Sequence, residues 1–183
     1  MALTKPSSSH QEARAPMLGE HAVTQAEWTT AVSELVDAAR SARAVHRPVL
    51  LLYMLGRAQR KEAAEVSFQD LESAIGPALD HFGRAKKAEV LLPFWHLQSS
   101  PFWHVPNANS FPRREGKDRP TRSALIRGAA TGRIKTEWWA SLAVPELVST
   151  LGESLLRGVW TTSQDQDLAC ELLRFQRPRE SSK

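Results

Sequence analysis

The sequence predicts a mainly α fold: a compact, helical, bundle-like domain with a short β-hairpin and a basic loop. Three observations lead there. Residues 49–55 are an unbroken apolar run, polar only at the Tyr53 hydroxyl, so a helix here is apolar on every face and must lie inside the domain. Around it, apolar residues recur at three- and four-residue spacing in several segments, as in helices that pack by one face. Two aromatic segments, residues 91–97 and 101–105, each contain Pro-Phe-Trp-His and are separated by Gln98-Ser99-Ser100, which predicts the hairpin.

Taken in order, residues 1–20 are Ser-, Pro- and Ala-rich without periodicity and read as a flexible tail. Residues 21–176 read as the domain, and residues 177–183 as a polar linker or end. Thr24 is placed to cap a helix running to about Arg43, with Trp28, Ala31, Val32, Leu35, Val36 and Ala39 on one face. Pro48 fits the first position of the core helix, where its missing amide costs nothing, and the helix continues as a polar extension to about Glu65. Ser67 with Asp70 signals a further helix through Leu71, Ile75, Leu79 and Phe82, broken or kinked at Gly76-Pro77 and stopped at Gly83. Arg84, Lys86 and Lys87 then form an exposed basic loop.

In the aromatic pair, Phe94, Trp95, Phe102 and Trp103 suit core packing. His96 and His104 fall at equivalent hairpin positions but lack a Cys or carboxylate companion at metal-ligand spacing. Further on, Thr136 caps a turn holding Trp138 and Trp139, and Pro145 starts a helix with Leu147, Val148, Leu151, Leu155 and Leu156. Ser163 with Gln166 forms a capping box for Leu168, Leu172 and Leu173.

Composition narrows the function classes. A single cysteine, Cys170, excludes a disulfide framework and a cysteine-built zinc site, and points to a reducing, cytoplasmic setting. No stretch approaches the ~18 to 20 apolar residues of a membrane span, and Lys5 is not followed by the apolar segment of a secretory signal. There is no HNH-like metal cluster, Gly-rich phosphate loop or nucleophile motif, which argues for binding rather than catalysis and for no cofactor.

The net charge of +4 conceals a strong asymmetry. Residues 1–39 total −3 and residues 136–183 total −2, whereas residues 40–135 carry seventeen Lys/Arg against eight acids, for +9. Concentrated positive charge favours a polyanionic partner, most commonly nucleic acid. Within that middle, Asn107 and Asn109 lead into Arg113, Arg114, Lys117, Arg119, Arg122, Arg127, Arg133 and Lys135, opposed only by Glu115 and Asp118. Pro112, Gly116 and Pro120 prevent a long helix, so residues 113–119 read as an exposed loop able to enter a DNA groove. Arg reads guanine bidentately where Lys does so less well. A merely solvated basic loop is the competing reading.

A second basic group flanks the core helix. His46 and Arg47 precede Pro48 at the positive end of the helix dipole, an arrangement that suits an anion. Arg40 and Arg43, in the last turn of the preceding helix, are expected to converge on them. Alternatively, Arg47 is an ordinary solvated residue beside a core helix.

These residues carry a resemblance. His46-Arg47-Pro48-Val49-Leu50-Leu51-Leu52, then Pro93-Phe94-Trp95-His96-Leu97 and Phe102-Trp103, are similar to the sulfur-binding domain of McrA-type type IV restriction endonucleases, over roughly residues 24–175. In that family a mostly helical domain recognises double-stranded DNA whose backbone carries a phosphorothioate, and a separate HNH nuclease domain cuts it. The resemblance implies that His46 and Arg47 contact the modified phosphate and that Pro93 and His96 help form the sulfur pocket. The family often has Tyr where this chain has Leu92, and Asp-Gly where it has Ser100-Pro101. The implied function is recognition of phosphorothioate-modified DNA, the sulfur held in an apolar pocket and the flanking bases read by the basic loop. A general helical nucleic-acid-binding regulator, and a fragment of an HNH nuclease whose catalytic part lies elsewhere, are the alternatives.

Overall fold

The computed structural model describes residues 22–42, 44–83, 90–113 and 116–177. The N-terminal segment read as a tail, the basic residues Arg84, Lys86 and Lys87, and the last residues lie outside them. The described chain is mainly α, with a three-stranded antiparallel sheet.

Helix α1, Gln25–Ala42, begins at a capping box. The Glu27 amide donates to Thr24 Oγ1 (3.3 Å) while the Thr24 amide donates to Glu27 Oε2 (2.7 Å), so two otherwise orphaned donors are satisfied reciprocally. Its buried face consists of Trp28, Ala31, Val32, Leu35, Val36 and Ala39, as the periodicity predicts. Trp28 is wholly buried, donates its indole N–H to Ser141 Oγ (2.7 Å) and meets Trp138 edge-on at 4.7 Å.

Helix α2, His46–Gln59, is the buried centre, and every residue from Pro48 to Gly56 is buried. It starts two residues earlier than expected, with Pro48 third in the helix. Proline is tolerated there because the first four amides have no intrahelical acceptor; the first intrahelical bond, Val49 N–H to the Val45 carbonyl, comes after it. The helix also ends sooner than expected. Lys61 takes a left-handed conformation (φ 56°), and Arg57 Nε donates to the Ala63 carbonyl (3.2 Å) while Arg60 Nε binds Glu62 (2.6 Å). The expected polar extension therefore folds back as strand β1, Glu65–Ser67.

Helix α3, Phe68–Phe82, is capped by Ser67, whose Oγ accepts from the Asp70 amide (3.0 Å). It passes through Pro77 without interruption, contrary to the expected break. Ile75, Ala78 and Leu79 bury the adjoining turns, and that packing outweighs the lost backbone bond.

The expected hairpin is not formed. Its first half is helix α4, Leu91–His96, continued by a short 3₁₀ turn. Its second half supplies strand β2, Trp103–His104, whose partner is strand β3, Thr131–Ile134, far along the chain. β1 pairs with the other edge of β3, giving the order β1-β3-β2, with Trp103 opposite Ile134 and Val66 opposite Gly132. The aromatics are buried as expected, but their geometry is helix on sheet: Trp103 Nε1 donates to the Phe94 carbonyl (2.9 Å).

Helix α5, Arg122–Arg127, interrupts the basic stretch, capped by Thr121. Helix α6, Thr136–Ser141, holds Trp138 and Trp139, with Lys135 rather than Thr136 at its cap position. Helix α7, Pro145–Val159, starts at Pro145 as expected. Helix α8, Ser163–Leu173, uses the expected device one residue earlier: Thr162, not Ser163, accepts from the Asp165 amide (3.1 Å). α2 packs against α1, α3, α4, α7 and α8. Among the described residues no helix is long and apolar enough to cross a membrane.

Gly132 marks the tightest join between sheet and helix. A Cβ there would overlap Trp103 Cζ2 and lie 2.8 Å from Phe94 Cε2, inside two fully buried rings. Gly132→Ala is therefore expected to destabilise the domain by ~1 to 3 kcal/mol through overpacking. Thermal denaturation measures this, and an unchanged melting temperature would mean that β3 does not lie on that aromatic pair.

Candidate nucleic-acid interface

The buried character of α2 fixes where its first turn emerges. His46 and Arg47 are half-buried, and Val45 at the cap position offers no capping side chain. The opening amides, the positive end of the dipole and two basic residues therefore belong to one helix end. Among the described residues neither His46 nor Arg47 has a side-chain hydrogen bond or ion pair. Burial, and then the neighbouring Arg47 charge, hold the His46 imidazole below its ordinary pKa. An anionic group would complement this end: it would accept from the guanidinium and favour the imidazolium.

Arg40 has a partner on another helix. It is exposed and donates Nε to the Gly158 carbonyl (2.9 Å), which commits it to α7. Arg43 lies outside the described residues.

Helix α4 packs against α2 and carries the other residues implicated in a pocket. Pro93 is buried, whereas Leu92 and His96 are half-buried. Proline ring and leucine side chain are apolar and weakly hydrated, so this element offers dispersion contacts rather than hydrogen bonds. His96 belongs to α4 and His104 to β2, so the two are not equivalent positions of one hairpin.

Trp95 ties the basic loop to α4. Trp95 is buried and donates Nε1 to the Asp118 carbonyl (3.3 Å), while the Arg113 guanidinium lies over its ring, 5.9 Å from the centroid. Arg113 also donates to Asn109 Oδ1 (3.4 Å), and its backbone bridges to Pro120. Arg113, Lys117 and Asn109 are exposed and Arg119 is half-buried; Arg114 lies outside the described residues. Arg122 serves the fold instead, forming a bidentate pair with Glu72 (2.6 and 2.5 Å) that joins α5 to α3. Sequence reasoning reads Trp95 only as core. The available signal is its indole N–H, which when buried usually finds an acceptor, here at the edge of the loop.

A family model described as ScoMcrA-like, DNA sulfur-binding domain, matches residues 25–169. Among solved structures, the chain resembles the sulfur-binding domain of ScoMcrA complexed with phosphorothioated DNA, with 25% identity and a TM-score of 0.62 over 71% of this chain and 87% of that one. The sulfur-binding domain of SprMcrA complexed with phosphorothioated DNA shares the fold, with 20% identity and a TM-score of 0.58 over 76% of this chain and 93% of that one. The type IV phosphorothioation-dependent restriction endonuclease ScoMcrA also shares it, with 23% identity and a TM-score of 0.62; the match covers 76% of this chain but only 28% of that one. No curated protein sequence matches.

The lowered His46 pKa has a signed consequence. The unfolded chain takes up the proton near pH 6.5 while the folded one resists it, so this contribution to stability is present above pH 6.5 and is lost as pH falls toward the depressed folded value. His46→Gln should flatten the fall in stability over that acid window, as read by denaturant unfolding at several pH values. An identical pH profile would place His46 in water.

Proposed function

Because the chain belongs to the ScoMcrA-like DNA sulfur-binding domain family, we propose that it binds double-stranded DNA in which sulfur replaces one non-bridging phosphate oxygen. The observation that carries the reading is the pairing of an uncapped basic helix start with an apolar element packed on the same helix. His46 and Arg47 hold the phosphate by charge-assisted hydrogen bonds, which any phosphate would accept. Pro93, with Leu92 and the edge of His96, supplies the surface against which sulfur lies.

The selectivity follows from the atoms. Sulfur is larger and more polarizable than oxygen, a poorer hydrogen-bond acceptor and less tightly hydrated. An apolar surface therefore desolvates it at lower cost and gains more dispersion. Discrimination is a difference of two affinities, so the apolar wall decides it while the cations set the common level. Arg113, Arg114, Lys117, Arg119 and Asn109 contact flanking bases and backbone.

The domain, spanning about residues 21–176, works as a recognition module that does no cutting itself. Cleavage belongs to a nuclease domain of HNH type acting with it, in a modification-dependent restriction system housed in the cytoplasm.

The direct test is a gel shift comparing one duplex with and without the backbone sulfur. The modified duplex should bind at least about tenfold tighter, a difference of ~1.4 kcal/mol. Equal affinities would favour a general nucleic-acid-binding regulator. Arg47→Ala should weaken both complexes by ~1.5 to 3 kcal/mol, since the lost contact is to phosphate whichever atom is present. Pro93→Gly should instead erode the sulfur preference and leave weak unmodified binding in place, with its melting temperature recorded alongside. A folded Pro93 variant that keeps its full preference would move the pocket elsewhere.

A further inference from the structure

We propose that Trp95 is a positioning residue that holds the base-reading loop in one fixed register with the pocket on α4. The inference rests on the phosphorothioate reading and goes beyond it, because it says how sulfur and sequence come to be read together. Trp95 lies between Pro93 and His96 on α4, so its backbone moves with the pocket. Its side chain faces the loop. The indole N–H holds the Asp118 carbonyl at 3.3 Å, and the ring face carries the Arg113 guanidinium. Asn109 takes a second guanidinium contact, and the bridge between Arg113 and Pro120 closes the loop at its base.

Arg113 is thus presented in the free protein with its plane already supported, at an offset from α4 fixed by one rigid aromatic side chain. A flexible arginine would lose rotamer freedom on reaching a base edge, whereas a supported one has lost most of it beforehand. A loop anchored elsewhere would read bases at a variable distance from the sulfur. Anchored on Trp95, it reads them at one distance.

The test is a register scan. A set of phosphorothioate duplexes places the preferred flanking base pair at its best position or displaced by one step toward or away from the sulfur, and the same set without sulfur is run in parallel. For the unsubstituted protein, displacement should cost about tenfold in affinity, within the range of one bidentate base contact. Trp95→Phe keeps a ring but removes the N–H donor. It should cut the displacement penalty to about twofold or less while leaving the ratio of modified to unmodified affinity for a single sequence intact. Asn109→Ala, at an exposed site with little risk to folding, should cut the penalty partway. Trp95→Phe with an undiminished penalty would overturn the proposal, as would an Asn109→Ala penalty equal to that of the unsubstituted protein if Trp95→Phe fails to fold. A protein that shows flanking-base preference on both sets but no preference for sulfur would instead overturn the phosphorothioate reading and, with it, a register fixed to the sulfur.

Discussion

A helix whose side chains are apolar over seven residues except for the Tyr53 hydroxyl cannot present any face to water, and α2 obeys that constraint over its whole middle. Burying it requires cover on all sides, which α1, α3, α4, α7 and α8 provide. Only its two ends reach the surface. At the C-terminal end Arg57 and Arg60 take up carbonyls and Glu62 and fasten the turn into β1. At the N-terminal end the His46 and Arg47 side chains find no such partners among the described residues. The asymmetry leaves the start of a rigid core helix available for the anion site proposed above, with α4 held beside it by the same packing.

The proposed interface divides its labour by chemistry. Charge at the start of α2 and along the loop attracts any nucleic-acid backbone, and that contribution weakens with salt. It carries little information about which phosphate or which base is present. In the proposed reading, information comes from two uncharged features: an apolar surface at Pro93, which would respond to the replacement of oxygen by sulfur, and an indole that supports Arg113 and anchors the Asp118 carbonyl. Both sit on one short helix. Basic residues that look equivalent in sequence consequently do different things. Arg122 is bound to Glu72 and Arg40 to α7, whereas Arg113 is presented outward on a ring.

Much of the fold was legible because its causes are local. Thr24 with Glu27, Ser67 with Asp70 and Pro145 each mark a helix start through the residues beside them, and the stripe from Trp28 to Ala39 names its own buried face. Legibility failed where the cause was distant. β2 has two residues and pairs with β3 more than twenty residues later, so nothing adjacent to Trp103 announces its partner. The repeated Pro-Phe-Trp-His suggested two halves of a hairpin, yet one half is a helix that sends Phe94 toward Phe68 and Trp103, and Trp95 toward the basic loop. Gly76-Pro77 has the local marks of a break, overridden by packing on both sides. The place of His46 and Arg47 at the start of α2 was readable from Pro48, but Arg40's attachment to Gly158 and the contact of Trp95 with the loop depend on tertiary proximity that no spacing encodes.

The central claim is that one apolar surface at a fixed place on α4 receives sulfur while cations hold the rest of the phosphate. The two diastereomers of a single phosphorothioate carry the same charge and composition and differ only in which non-bridging position holds sulfur. Competition binding of the separated diastereomers in one duplex tests the claim most directly. One should bind at least about tenfold tighter than the unmodified duplex and the other no tighter than it. Equal enhancement by both would show that the preference comes from charge distribution or general softness rather than from a surface at one place, and would contradict the account.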